Sequence, residues 1–155
     1  MLDAWGARAG DFVAAYASVA DEPPTQPLLD VMRAHGMRVL LPVVVGHGLD
    51  WTAYEGWESL RPARWDLLEP TGPGLGPHAF ARAALVVAPT LAVDRSGHRL
   101  GRGGGYYDRV LSTVPKARRI AVVYDEEVVA TVPHDARDVD VAFALTPSGL
   151  VLLGS

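Results

Sequence analysis

The sequence predicts an α/β domain with a largely parallel sheet. Three observations carry that prediction. Apolar runs of strand length recur: RVLLPVVV (38–45), AALVVAP (83–89), RIAVVYD (119–125) and VAFALTP (141–147). Segments that suit helices or turns separate them, the alternation that builds parallel sheets with buried strands. The chain has 155 residues and no internal repeat, which suits one domain over 1–155.

Taken in order, FVAAYAS (12–18) fits either a helix continuing from Leu2 or a short buried strand. EPPT (22–25) punctuates the chain. Pro27 stands near the first turn of a helix predicted through about His35, where a missing N–H costs little. Gly36 is its stop. RVLLPVVV reads as a buried strand and LDWTAYE (49–55) as an alternating one. RPARWDLLEPTGPGLGP (61–77) is mostly loop, and AALVVAP is long enough for a central strand. YYDRVLSTV (106–114) reads as a helix. RIAVVYD is a third buried strand, EEVVATV (126–132) a short helix and VAFALTP a fourth strand. GLVLLG (149–154) closes as an edge strand.

Composition narrows the function. The net charge of −4 argues against a general nucleic-acid binder, which must neutralise phosphates. The absence of Cys excludes thiol catalysis, disulfides and thiolate-bound zinc. No apolar run approaches the roughly 20 residues of a membrane span. The start, MLDAWGARAGDF, lacks a signal-peptide core. A cytoplasmic enzyme or binding domain is expected, with neither nucleic acid nor membrane as partner.

RLGRGGGYYDR (99–109) carries the chemistry. Glycines let backbone approach a ligand closely, and successive N–H groups form anion-binding concavities. Arg99 and Arg102 add forked donors for phosphate. Asp108 disfavours bare phosphate but favours one carrying Mg²⁺, which takes carboxylate and phosphate oxygens. A P-loop would need Lys and Ser/Thr after its last glycine, and Tyr106 and Tyr107 follow Gly105. A glycine-rich surface turn before a helix is the plain alternative.

PTLAVDRSGHRLGRGGGYYDR (89–109) closely resembles the signature of the 5-formyltetrahydrofolate cyclo-ligase family, approximately P-G-L-A-F-D-x-x-G-x-R-L-G-x-G-x-G-Y-Y-D-R. Thr90 and Val93 are its mild departures. VAAYASVADEPPTQPLL, LLEP (67–70) and VPHDARDVDVAFALTP extend the resemblance over roughly 11–147, and favour a strand for Val13–Ala17. It implies a three-layer α/β/α fold of NagB/RpiA/CoA-transferase-like architecture. The implied reaction is ATP-dependent, Mg²⁺-requiring closure of 5-formyltetrahydrofolate to 5,10-methenyltetrahydrofolate; a monomer is expected.

The resemblance also implies roles. Arg99, Leu100, Gly101, Arg102, Gly103, Gly104, Gly105, Tyr106 and Tyr107 would line the ATP phosphates. Arg102, Gly103, Gly104, Gly105 and Tyr106 would border the folate, with Glu22 on the pterin. Asp108 would hold Mg²⁺ with Asp135, or with Asp138 because the spacing from Asp135 to Asp140 is one longer than usual. Family members also begin with a Lys-x-x-x-Arg helix, whereas here no Lys precedes Lys116. That departure implies a truncated chain, a misassigned start or an altered activity, and predicts weak ATP engagement or a folate-binding relative with little turnover. A phosphosugar isomerase or acyl-CoA enzyme rests on architecture alone.

Other conspicuous residues read as structural. His98 and His134 suit loops, and no two of the five His have i,i+4 spacing. Trp51, Trp57 and Trp65 suit packing or loop anchoring.

Overall fold

The computed structural model describes residues 7–101 and 105–154. The fold is α/β, with mostly parallel strands in its main sheet and few helices. The chain divides into two compact units, Met1–Leu85 and Val86–Ser155.

In the first unit, β1 (Phe12–Ala14) runs parallel to β2 (Arg38–Val45), with Val13 opposite Val39. The chain stays buried through Ala17. The 12–18 segment is therefore a strand and its extension; the proposed start of a helix at Leu2 lies outside the described residues. α1 (Gln26–Ala34) carries Pro27 in its first turn, and Gly36 at φ +85 follows its end. Leu29 and Met32, three apart on one face, are fully buried. Each such side chain contributes about 1.5–3 kcal/mol.

β2 turns back into β3 (Gly48–Ala53) as an antiparallel pair. The expected alternation in β3 is incomplete, because neighbouring Trp51 and Thr52 are both buried. Trp51 meets Phe80 at 5.7 Å between ring centroids. The loop after Pro70 reaches Thr52 and Trp51: the Leu75 amide donates to the Trp51 carbonyl at 2.8 Å. That loop is pinned by Asp50, whose carboxylate accepts the Gly76 amide at 2.8 Å. Within 61–77 lie two short antiparallel strands, β4 (Arg61–Pro62) and β5 (Leu68–Glu69). Trp65 and Asp66 between them are left-handed, at φ 58 and 57.

The chain enters the second unit along β6 (Ala83–Pro89). A hairpin follows, β7 (Ala92–Asp94) against β8 (Arg99–Leu100), then α2 (Tyr106–Leu111). β9 (Arg119–Val122) lies parallel to β6. The segment read as a helix over 126–132 is instead a single turn at Asp125–Glu127 and a strand, β10 (Val128–Val129), parallel to β7. Two β-branched residues gain more from pairing with Val93 and Asp94 than from a helix. Glu127 caps the start of the turn by accepting the Tyr124 amide at 2.7 Å. β11 (Phe143–Thr146) pairs parallel with β9, and β12 (Gly149–Leu152) closes antiparallel on β11. No helix among the described residues is long and apolar enough to cross a membrane.

Candidate functional site

The β7–β8 hairpin is organised by a buried acid. Asp94, 3% exposed, accepts the amides of Ser96 and His98 on Oδ1 at 3.0 and 3.1 Å. Its Oδ2 accepts His98 Nδ1 at 2.9 Å and the Val132 amide at 3.0 Å. An ionised carboxylate only accepts, so His98 Nδ1 carries the proton. Burial alone pushes the Asp94 carboxyl up; the Val132 amide and the His98 ring and amide outweigh it and hold it below its ordinary value. The His98 ring stacks on His134 at 3.5 Å. Gly97, at φ +96, lets the Val141 amide reach its carbonyl at 2.9 Å.

Beyond the hairpin, β8 delivers Arg99, whose side chain is 4% exposed. Its Nε donates to Thr90 Oγ1 at 3.1 Å and its Nη2 to the Pro89 carbonyl at 2.5 Å. Nη1 reaches Asp108 Oδ1 at 3.5 Å. Asp108 lies in the first turn of α2, which Gly105 enters at φ 72. The same Oδ1 accepts the Val139 amide at 3.4 Å. Oδ2 has no partner among the described residues, and the side chain is 29% exposed. Tyr106 and Tyr107 are both half-buried, with the Arg109 guanidinium 5.2 Å from the Tyr106 ring centre.

Asp135 sits on an exposed loop. Its Oδ1 accepts the Arg137 amide at 2.7 Å, its Oδ2 lies 3.4 Å from Arg137 Nη2, and its own amide donates to Asp138 Oδ2 at 2.8 Å. The Arg137 amide bond, then its side chain, hold the Asp135 carboxyl below its ordinary value. In the first unit, Glu22 folds back on its own turn, where Oε1 accepts the Val19 amide at 2.8 Å. The following Thr25 is buried, bonded to Ser18 and to the Tyr16 carbonyl.

Against this geometry, the family model described as the 5-formyltetrahydrofolate cyclo-ligase family matches residues 4–147. The chain belongs to that cyclo-ligase family. A 5-formyltetrahydrofolate cyclo-ligase of Mycolicibacterium smegmatis is 40% identical over 151 residues, covering 93% of this chain and 78% of the relative. One from Escherichia coli K12 is 30% identical, covering 88% and 78%. The solution structure of Aquifex aeolicus 5,10-methenyltetrahydrofolate synthetase superimposes with TM-score 0.76 at 27% identity, over 99% of this chain and 75% of that one. A 5,10-methenyltetrahydrofolate synthetase from Mycoplasma pneumoniae shares the fold, with TM-score 0.62 at 18% identity.

The cyclo-ligase signature thus lands on one stretch of the second unit. Arg99 and Asp108 of that signature are in direct contact, and Leu100, Gly101 and Gly105 to Tyr107 belong to the same run. Arg102, Gly103 and Gly104 lie outside the described residues. Asp135 engages Arg137 and its own loop. Among the described residues no three Asp, Glu or His side chains gather into a metal-binding group. A partly exposed carboxylate with one oxygen unengaged fits an ion that arrives with phosphates and needs few protein ligands. The residues that sequence reasoning missed are Asp94 and Thr90. The D-x-x-G spacing of Asp94 and Gly97 was the available signal for the first, since a short acid commonly accepts amides two residues on. Thr90 stood out in the sequence only as a mild departure from the signature.

Proposed function

We propose that this chain cyclises 5-formyltetrahydrofolate to 5,10-methenyltetrahydrofolate with conversion of ATP to ADP and phosphate. The observation that most supports this reading is the family match over 4–147 together with 40% identity to a named cyclo-ligase. The formyl oxygen is a poor leaving group. Transfer of the γ-phosphoryl group to it gives an imidate phosphate; N10 then attacks the carbon, loses its proton, and phosphate departs. This chemistry requires positioning and charge neutralisation rather than a protein nucleophile, which suits a chain without Cys.

In this reading, Arg99, Leu100, Gly101, Gly105, Tyr106 and Tyr107 border the phosphates. Glu22 accepts donors of the pterin, as a carboxylate can. Asp108 would hold Mg²⁺, with Asp135 or Asp138 second. The ion, when bound, neutralises charge on the transferring phosphoryl group. We take the protein to be one functional domain, monomeric and cytoplasmic.

The test is the appearance of methenyl-folate absorbance with ATP and Mg²⁺ present, and again with each omitted. Product that requires both supports the reading. Folate binding without product supports a binding module instead, and product without ATP sinks the assignment.

A further inference from the structure

The Thr90 hydroxyl stands immediately after the end of β6. Its single proton goes to the Ala88 carbonyl at 2.9 Å, so towards Arg99 it is an acceptor only. It receives Arg99 Nε–H at 3.1 Å, while the Pro89 carbonyl takes Nη2. Thr90 is 5% exposed and Arg99 is 6% exposed, so neither contact is readily replaced by water. Two edges of the rigid guanidinium fork are thereby clamped to the end of β6. The third edge, Nη1, lies 3.5 Å from Asp108 Oδ1, a distance too long for a strong charged hydrogen bond.

Among the contacts to described residues, those to Thr90 and Pro89 are shorter than the one to Asp108. An arginine free to choose would close on a neighbouring carboxylate with two parallel bonds. Here it is held back. Asp108 meets the guanidinium through Oδ1 alone and keeps Oδ2 disengaged among the described residues.

We propose that Thr90 is a positioning residue. By clamping the Arg99 guanidinium, its hydroxyl keeps Asp108 Oδ2 available to the cation of a metal–nucleotide. This rests on the cyclo-ligase reading for the identity of the nucleotide. Without the hydroxyl, the guanidinium turns towards Asp108, pairs with it fully and withholds it from the ion.

Thr90→Val removes the acceptor and preserves shape; Thr90→Ser keeps the acceptor. The expected result for Thr90→Val is a rise in KM for ATP of about ten- to a hundredfold, the effect of one charged hydrogen bond. KM for 5-formyltetrahydrofolate should stay within about twofold, as that of a substrate this contact does not serve. Thr90→Ser should stay within about threefold of the parent for both, because its acceptor is retained.

Calorimetry with a non-hydrolysable ATP analogue supplies a readout apart from turnover. The Thr90→Val deficit should appear with Mg²⁺ and vanish when Mg²⁺ is omitted. Arg99→Lys, which cannot hold Thr90 and Asp108 from one rigid fork, should share the deficit. Lowered thermal stability with unchanged ATP KM and analogue affinity would make Thr90 merely structural and overturn the proposal. A serine variant as impaired as the valine variant would overturn it as well. Failure of the parent protein to form methenyl-folate would instead strike the functional reading, and the calorimetric comparison would still decide the role of Thr90.

Discussion

Gly97 and Val141 meet main chain to main chain. The Val141 amide donates to the Gly97 carbonyl at 2.9 Å, and a β-carbon on Gly97 would stand 2.6 Å from the Val141 carbonyl oxygen. The left-handed φ of Gly97 adds strain for any other residue. Gly97→Ala should therefore destabilise the protein by about 2–4 kcal/mol, from backbone strain and overpacking together. Urea unfolding measures it, and a loss below about 1 kcal/mol contradicts so close an approach.

Asp94 gives a pH dependence with a definite sign. Its folded carboxyl lies below the unfolded value, so its stabilisation is fully present above about pH 4 and is lost as pH falls through the folded value. Asp94→Asn turns an amide NH₂ towards groups that are themselves donors. A loss of about 2–3 kcal/mol is expected at neutral pH. Urea midpoints measured from pH 7 down to pH 3 should converge for the two proteins; parallel curves would show that Asp94 is not the titrating group.

Asp108→Asn preserves an acceptor for the Val139 amide and for Arg99 but removes the charge. The fold should persist while turnover falls by about two orders of magnitude or more, the scale of losing a metal contact in phosphoryl transfer. Circular dichroism and a Mg²⁺ titration of the rate check the two halves. Near-normal turnover at limiting Mg²⁺ would take Asp108 out of the site.

Glu22→Gln keeps the oxygen that accepts the Val19 amide, so its turn should survive. If the carboxylate reads the pterin, KM for 5-formyltetrahydrofolate should rise about tenfold or more, while ATP affinity stays put. Steady-state kinetics with each substrate varied in turn decides it. A change confined to ATP would move Glu22 to the nucleotide side.

The strands with continuous apolar runs were legible because burial on both faces leaves a composition that little else produces. β2, β6, β9 and β11 all fall where such runs stand. The α1 boundaries were legible from Pro27 and Gly36, whose backbone restrictions act locally. The β7–β8 hairpin and β10 were not, because two- and three-residue strands are specified by partners distant in sequence. Val128 pairs with Val93, and no window around either residue contains the other. The site divides the same way. Asp108 announces itself by following glycines. Thr90 and Asp94 gain their roles from the bonds they make to Arg99 and to Val132, which appear only once the chain has folded.

The acceptor bonds of Asp94 also imply an order of assembly. Ser96 and His98 are two and four residues away, whereas Val132 is 38 residues away. Closing a short loop costs less chain entropy than closing a long one. The hairpin turn can therefore form first around its own carboxylate, and afterwards present a finished acceptor to the arriving 132 segment. On that order, Val132 would join the hairpin only after its turn has closed around Asp94.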